Sequence, residues 1–416
     1  MSDRIKVATL SPFLHIGGDE NRLLAYLGAR DRDTFEHVVV SGSKATTSMD
    51  ALWGPMRRRF ESLDVELVDL SLPYNFELSQ TLSRRALEVE KAKRFASFVR
   101  GAARLFRDRQ IDVVDARGDT GSVVGIIAGR LAGVRAVVAT NYFPQVNQVG
   151  SRSPAWLLNR AIYAMADAIV CDSQTCLDAM REWMILPPPG HCIPNGIDPP
   201  RTERSAADVA ADLNIAPNSV IVAQIARLQP YKGQLALLEA ASTVVQQFPN
   251  TVFVICGYPS FNQEGLDYQK RLHQIVAERR LEQNVRLISY PGSVGDIWPL
   301  VHIHVHPTLL DSSPIALLEG MSFGKAAITT RIGGIHELVL DGETGIVLPP
   351  DDTEALTTAM LRLLGNPAEV ERLGRNAYQR YKAHYTPNIM ARRSEDVFKH
   401  VFNTPRLRRA RRPGLA

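Results

Sequence analysis

Two cations and two carboxylates stand out by their spacing. Arg227 and Lys232 lie in Arg-Leu-Gln-Pro-Tyr-Lys-Gly, directly after the apolar run Val220 to Ile225. At the carboxyl end of a strand, both could neutralise a diphosphate and stabilise it as a leaving group. The plain alternative is two solvated surface cations. Asp311 and Glu319 flank Ser312-Ser313-Pro314-Ile315. That turn predicts a helix start, with Asp or Ser as cap and Pro in the first turn. Asp311 is then in the loop and Glu319 about two turns into the helix. A carboxylate there can accept two hydroxyl hydrogen bonds from a sugar ring or a ribose. The alternative is a cap plus one buried acid held by backbone. Burying Glu319 beside Ala316, Leu317 and Leu318 is costly without partners.

Gly17 and Gly18 form a turn in His15-Ile16-Gly17-Gly18-Asp19-Glu20, between an apolar run and a helical pattern. Such a turn lets backbone approach a ligand, and the helix start offers N–H groups to an anion. It lacks the G-x-G-x-x-G spacing of a nicotinamide site. Gly333-Gly334 and Asp341-Gly342 read as turns around a short helix. His302, His304 and His306 alternate along one strand, so strand geometry projects them to one face. Metal ligation and ordinary buried histidines are both open, and no Asp, Glu or Cys cluster nearby completes a metal site.

The elements that must position these residues alternate. Strand candidates run at 5–10, 37–40, 65–70, 111–115, 135–140 and 168–171, with helices between them, one ending near Ala166. Pro187-Pro188-Pro189-Gly190 then breaks the pattern. A second series runs at 220–225, 251–256, 284–289, 303–305, 326–329 and 346–348. Short apolar strands alternating with helices predict parallel sheets covered on both faces. The fold class is α/β: two doubly wound domains facing a central cleft, with ligands at the strands' carboxyl ends. The expected divisions are 1–190, 191–386, a last helix over 387–403 packing back toward the N-terminal domain, and a disordered basic tail over 404–416.

The 416 residues carry 48 Lys+Arg against 44 Asp+Glu, a net charge of +4. Five arginines in the last thirteen residues account for it; the rest holds one more acid than base. The body is therefore not built to hold nucleic acid. Apolar residues make up 45%, and no apolar run reaches membrane-spanning length. The polar start argues against a signal peptide. Cys171, Cys176, Cys192 and Cys256 are scattered, as expected of reduced thiols in a cytoplasmic protein. The stretch from Arg84 to Arg109 holds nine basic residues and three acids, with Phe95, Phe98, Val99, Leu105 and Phe106. It could contact an anionic membrane surface at the inner face, or be an ordinary amphipathic helix.

Taken in order, Ile193-Pro194-Asn195-Gly196-Ile197-Asp198, Arg227 to Gly233, Asp311 to Glu319, Gly333-Gly334 and Asp341-Gly342 resemble the family 4 glycosyltransferases of the GT-B fold. The resemblance spans essentially the whole chain. It implies a C-terminal domain that binds a nucleotide-diphosphate-sugar as co-substrate and an N-terminal domain that binds the acceptor. Arg227 and Lys232 would contact the diphosphate, Glu319 the ribose, and Asp311 the region of the sugar. Ser312, Ser313, Pro314 and Ile315 would lie by the sugar and phosphates through backbone N–H groups. Gly17, Gly18, Asn195 and Gly196 would complete the donor site. Tyr142 stands where the family often has a histidine near the sugar. Members typically retain anomeric configuration and need no metal or other cofactor. The resemblance leaves the acceptor unnamed: its hydroxyl would belong to a glycan, a lipid-linked molecule or a small molecule, in cell-envelope, polysaccharide or glycoconjugate synthesis. Its specificity would reside in loops over 43–60 and 73–83. A catalytically silent sugar-nucleotide-binding protein and a GT-B sugar-nucleotide epimerase are the competing readings.

Overall fold

In a computed structural model, the described residues are 4–11, 18–43, 58–72, 84–142, 154–260 and 262–404. The chain divides into two units, Met1–Gly196 with Pro387–Ala416, and Ile197–Thr386.

The first unit runs β1 (Ile5–Ser11), α1 (Gly18–Ala29), β2 (Phe35–Ser43), β3 (Glu66–Leu72), α2 (Arg84–Asp108), β4 (Val113–Arg117), α3 (Gly118–Ala132), β5 (Ala136–Asn141), α4 (Pro154–Tyr163), β6 (Ala168–Cys171), α5 (Gln174–Trp183) and β7 (Gly190–Cys192). All strands pair in parallel, in the order β3-β2-β1-β4-β5-β6-β7. Central strands β4 and β5 are buried at every position, which fits their apolar residues Val113, Val114, Ala116 and 136–139, while the buried Asp115, Arg117, Thr140 and Asn141 stand toward their carboxyl ends. The winding reverses between β1 and β4, and the carboxyl ends there form the natural ligand position of such a sheet.

Three local expectations change. The Pro187–Gly190 break is followed at once by a strand: β7 starts at Gly190 and pairs only with β6. An edge position tolerates the preceding prolines because they need not donate to a ladder. Helix α4 ends at Tyr163 rather than Ala166, because tight i→i+3 bonds from Met165 and Ala166 close its last turn. In α2, Phe98, Val99 and Phe106 are buried in the core and Leu105 is partly buried against it. Of the five apolar residues considered for membrane contact, only Phe95 is exposed.

The second unit runs α6 (Ala206–Asp212), β8 (Val220–Ile225), α7 (Gln234–Gln247), β9 (Thr251–Cys256), α8 (Gln263–Glu278), β10 (Val285–Ile288), β11 (Ile303–His306), α9 (Ile315–Ser322), β12 (Ala326–Thr330), α10 (Ile335–Leu338), β13 (Gly345–Leu348), α11 (Thr353–Leu364) and α12 (Pro367–His384). Its strands are also parallel, in the order β10-β9-β8-β11-β12-β13, with the reversal between β8 and β11. The core on one face gathers Leu237, Leu238, Phe253, Ile255, Ile328 and Met360.

The chain then returns to the first unit as α13 (Pro387–Asn403). Met390, Phe398 and Val401 of α13 pack with Leu23, Tyr26, Leu27 and Phe35. A buried side chain of Phe398's size stabilises by about 2 kcal/mol. The expected basic tail lies beyond Thr404, and the loops over 44–57 and 73–83 lie elsewhere in the chain; all are outside the described residues. Among the described residues no helix is long and apolar enough to cross a membrane.

Candidate functional site

In the second unit, the segments that leave β8 and β11 carry the charges singled out in the sequence. After β8 the chain makes a helical turn, Pro230–Lys232, closed by Gly233 at φ 77°. A Cβ at position 233 would stand 2.1 Å from the Pro307 carbonyl oxygen, so only glycine lets these two loops touch. The buried Gln224 side chain donates to the Lys232 carbonyl at 2.7 Å. The Leu309 N–H donates to the Tyr231 carbonyl at 2.7 Å. Held in this way, Lys232 Nζ forms an ion pair with Asp311 Oδ2. His306 Nε2 lies 3.2 Å from the same oxygen, on a ring that is only 1–2% exposed. Arg227 is exposed, and both its charge and that of Asp311 act on the Tyr231 hydroxyl.

Electrostatics separates the two acids. Burial alone would raise the Asp311 carboxyl, but the His306 hydrogen bond and the Lys232 charge outweigh it and hold it at about 2. Burial also lowers the His306 imidazole, against the pull of Asp311. A neutral ring with its Nε2–H directed at Asp311 satisfies both tendencies. Glu319 behaves in the opposite way. Burial pushes its carboxyl up to about 7, opposed by the Trp298 side chain. Its charge contributes to raising the buried Cys256 thiol, which burial chiefly drives to about 11.

The helix start differs from expectation. Pro314, not Asp311 or a serine, occupies the cap position of α9, and no side chain caps it. Glu319 is the fifth helical residue, so it stands just over one turn in rather than two. Pro314 has no N–H, which leaves Ser313 and Ile315 as the donors of this turn. The Asp311 loop is braced by Gly333, at φ 49°, where a Cβ would lie 2.1 Å from the Asp311 carbonyl oxygen. The Gly334 N–H donates to the Ser312 carbonyl at 3.0 Å. The Asp341 side chain accepts from the Val347 N–H at 2.9 Å, a structural turn.

His304 and His306 stay neighbours, with ring centroids 5.9 Å apart, but the three histidines serve different partners. His302 precedes β11, is exposed, and accepts the Ile221 N–H on Nδ1 at 3.0 Å. His304 is fully buried, edge-on to Trp298 with ring centroids 4.9 Å apart. His306 serves Asp311. Among the described residues no group of three or more His, Cys, Asp or Glu side chains is placed to hold a metal.

The remaining singled-out residues belong to the first unit. Gly17 lies outside the described residues, and Gly18 begins α1. Asn195 is buried, and the Gly196 N–H meets Met390 Sδ at 3.2 Å. Tyr142 follows β5, with the guanidinium of Arg22 4.7 Å and that of Arg117 5.5 Å from its ring centroid. Arg117 pairs with Asp19 of α1 at 2.8 Å, across the reversal between β1 and β4, and with Asp115 of its own strand at 3.2 Å. Sequence reasoning missed Arg22, Arg117, Gln224 and the service of His306 to Asp311. The pattern Asp115-x-Arg117 at the end of a strand was the available signal for one of them.

Comparison with known proteins agrees with this architecture. Residues 207–380 match the family described as glycosyl transferases group 1, and residues 61–201 match glycosyltransferase family 4. A D-inositol 3-phosphate glycosyltransferase of Corynebacterium urealyticum is 26% identical over 243 residues, 58% of this chain and 56% of that protein. The match thus spans just over half of that relative's length. An Escherichia coli UDP-Gal:alpha-D-GlcNAc-diphosphoundecaprenol alpha-1,3-galactosyltransferase is 26% identical over 62% of this chain and 68% of that one. The structure of Anabaena HepE in complex with UDP and glucose superposes with a TM-score of 0.76 at 19% identity, covering 95% of this chain and 100% of that one. Sucrose-phosphate synthase of Thermosynechococcus elongatus gives a TM-score of 0.75 at 19% identity, over 96% and 99% of the two chains. At such identities these two structures speak for the fold. With two doubly wound parallel sheets, and the two family matches lying in succession along the chain, the protein belongs to the family 4 glycosyltransferases of the GT-B fold.

Proposed function

We propose that the protein is a retaining glycosyltransferase that moves a sugar from a nucleoside-diphosphate-sugar to an acceptor hydroxyl, with the donor on the second unit and the acceptor on the first. The observation that carries this is the Lys232–Asp311 ion pair at the β8/β11 reversal. A diphosphate arriving there competes with Asp311 for Lys232, and exposed Arg227 supplies a second cation. Together they stabilise the charge that develops as the diphosphate departs. Asp311, fixed by His306, is left free to accept a sugar hydroxyl. Glu319 takes the ribose hydroxyls, and the N–H groups of Ser313 and Ile315 lie by the phosphates. Gly17, Gly18, Asn195 and Gly196 complete the donor contacts. The departing diphosphate itself takes the acceptor proton, so no strong protein base is required and a tyrosine at 142 is compatible. The cations make a metal unnecessary.

Two likenesses support a nucleotide-sugar donor: the E. coli relative is named for UDP-Gal, and the Anabaena protein binds UDP and glucose. A cytoplasmic role in envelope, polysaccharide or glycoconjugate synthesis fits such relatives. The test is product analysis by NMR after incubation with donor and candidate acceptors. The product should keep the donor's anomeric configuration, and donor alone should yield no epimer. An inverted product, or epimerisation without acceptor, would overturn the reading.

A further inference from the structure

Two glutamines flank the loop that carries Arg227 and Lys232. Gln224 in β8 and Gln234, the first residue of α7, are both 0% exposed. Burying an amide is costly unless hydrogen bonds replace its water. Both side chains direct an N–H at the carbonyl of a site cation: Gln224 Nε2 donates to Lys232, and Gln234 Nε2 donates to Arg227 at 3.0 Å. The Gln234 amide is in turn oriented from α8. The Tyr268 hydroxyl donates to Gln234 Oε1 at 3.1 Å, and the Leu235 N–H donates to that hydroxyl's oxygen. Burial, opposed by this N–H, pushes the Tyr268 hydroxyl up to about 12, so it stays a proton donor near neutral pH. A flipped amide would set its oxygen against the Arg227 carbonyl, so the chain of bonds has one direction. The peptide on the other side of Arg227 is held as well. A Cβ at Gly257 would stand 1.8 Å from the Ala226 carbonyl oxygen. Peptide units are planar, so fixing the planes on both sides of Arg227 fixes the direction in which its side chain leaves the backbone.

We infer that Gln234, oriented by Tyr268, is the positioning residue of Arg227, as Gln224 is of Lys232. The two bonds aim a long, exposed side chain at the place of the donor diphosphate, which lowers the ordering cost of binding. Gln234, without solvent exposure, acts only through Arg227. This inference rests on the reading that Arg227 contacts the diphosphate.

The test is calorimetric titration of the full chain with UDP, joined to hydrogen exchange of the 227–233 loop without ligand. Gln234→Leu should weaken UDP binding about three- to tenfold, and Tyr268→Phe, which loses only a hydroxyl, about two- to threefold. In an Arg227→Ala background, itself weaker than wild type, neither substitution should weaken binding further. A role confined to the fold would give the same loss in both backgrounds, and that result would overturn the inference. So would an unchanged UDP affinity in Gln234→Leu and Tyr268→Phe. The loop amides should exchange about threefold faster or more in each variant. If UDP does not bind the wild type, or binds Arg227→Ala equally well, the donor reading fails instead, and loop exchange alone decides the clamp. Faster exchange then supports it, and wild-type rates overturn it. Should Gln234→Leu not fold, Tyr268→Phe carries every comparison.

Discussion

Lys232 in the loop after β8 and Asp311 in the loop after β11 pair across the point where the second sheet reverses its winding. Their side chains are 13% and 16% exposed, so the pair is shielded from bulk water yet open to a ligand. Neither loop alone could make this contact. Gln224, Gly233 and Gly333 hold the two loops in register.

Lys232→Ala should remove most turnover with the fold intact. Loss of one preorganised donor to a developing charge costs about 10²–10³-fold in rate. Lys232→Arg should recover part of it. The Asp311 carboxyl, held at about 2 beside Lys232, should rise, because a cation that lowers it is gone. Initial rates and a carboxyl titration by NMR check both. Near-normal turnover in Lys232→Ala would remove Lys232 from the mechanism.

Glu319 makes stability depend on pH in an unusual direction. Its carboxyl stands at about 7 in the folded state, above its ordinary value of 4.5. The folded state therefore holds the proton more tightly than the unfolded chain. The stabilisation is full below about 4.5 and is lost as the pH rises through 7. A shift of this size corresponds to at most about 3 kcal/mol. Glu319→Gln should flatten that part of a urea-derived stability profile. If ribose hydroxyls donate to the carboxylate, UDP-glucose should also bind more tightly from pH 6 to 8, and Glu319→Gln should abolish the trend. A variant with the same slope as the wild type would contradict this.

Gly333→Ala should lower stability by more than about 2 kcal/mol, through a left-handed backbone and a clash with the Asp311 carbonyl. It should weaken donor binding as well, because the Asp311 loop must shift. Urea denaturation measures the first and calorimetry the second. A loss below about 0.5 kcal/mol would mean that the contact is easily relieved.

If Arg227 and Lys232 supply the charge a metal would otherwise bring, prolonged treatment with EDTA should leave turnover unchanged. Loss on treatment, with recovery on adding a divalent cation, would contradict that assignment.

Much of this was readable along the chain because it is local. Most strands of both sheets announce themselves as short apolar runs, with β7 (Gly-His-Cys) the exception, and the charges follow strand ends. Arg227, Lys232, Asp311 and Glu319 were therefore legible as a group. Long-range geometry was not. Gly333 looked like a turn beside a short helix, whereas it is also the floor under Asp311. His306 looked like one tooth of a histidine stripe, whereas His302 turns to the Ile221 backbone and only His306 reaches Asp311. The amphipathic pattern of α2 left open whether its apolar face meets a membrane or its own core, and Phe98, Val99 and Phe106 are buried in the core. Arg22 stayed hidden because a cation in an early helix turn reads as surface until its burial is seen.

If Lys232 and its surroundings hold a nucleotide-activated sugar, that donor stabilises the folded chain through Lys232. Thermal shift of the full chain with UDP-, GDP- and ADP-sugars, in wild type and Lys232→Ala, tests it most directly. At least one donor class should raise the wild-type midpoint by several degrees, and the same donor should have little effect on the variant. No shift with any of the three, or an equal shift in both proteins, would contradict the account.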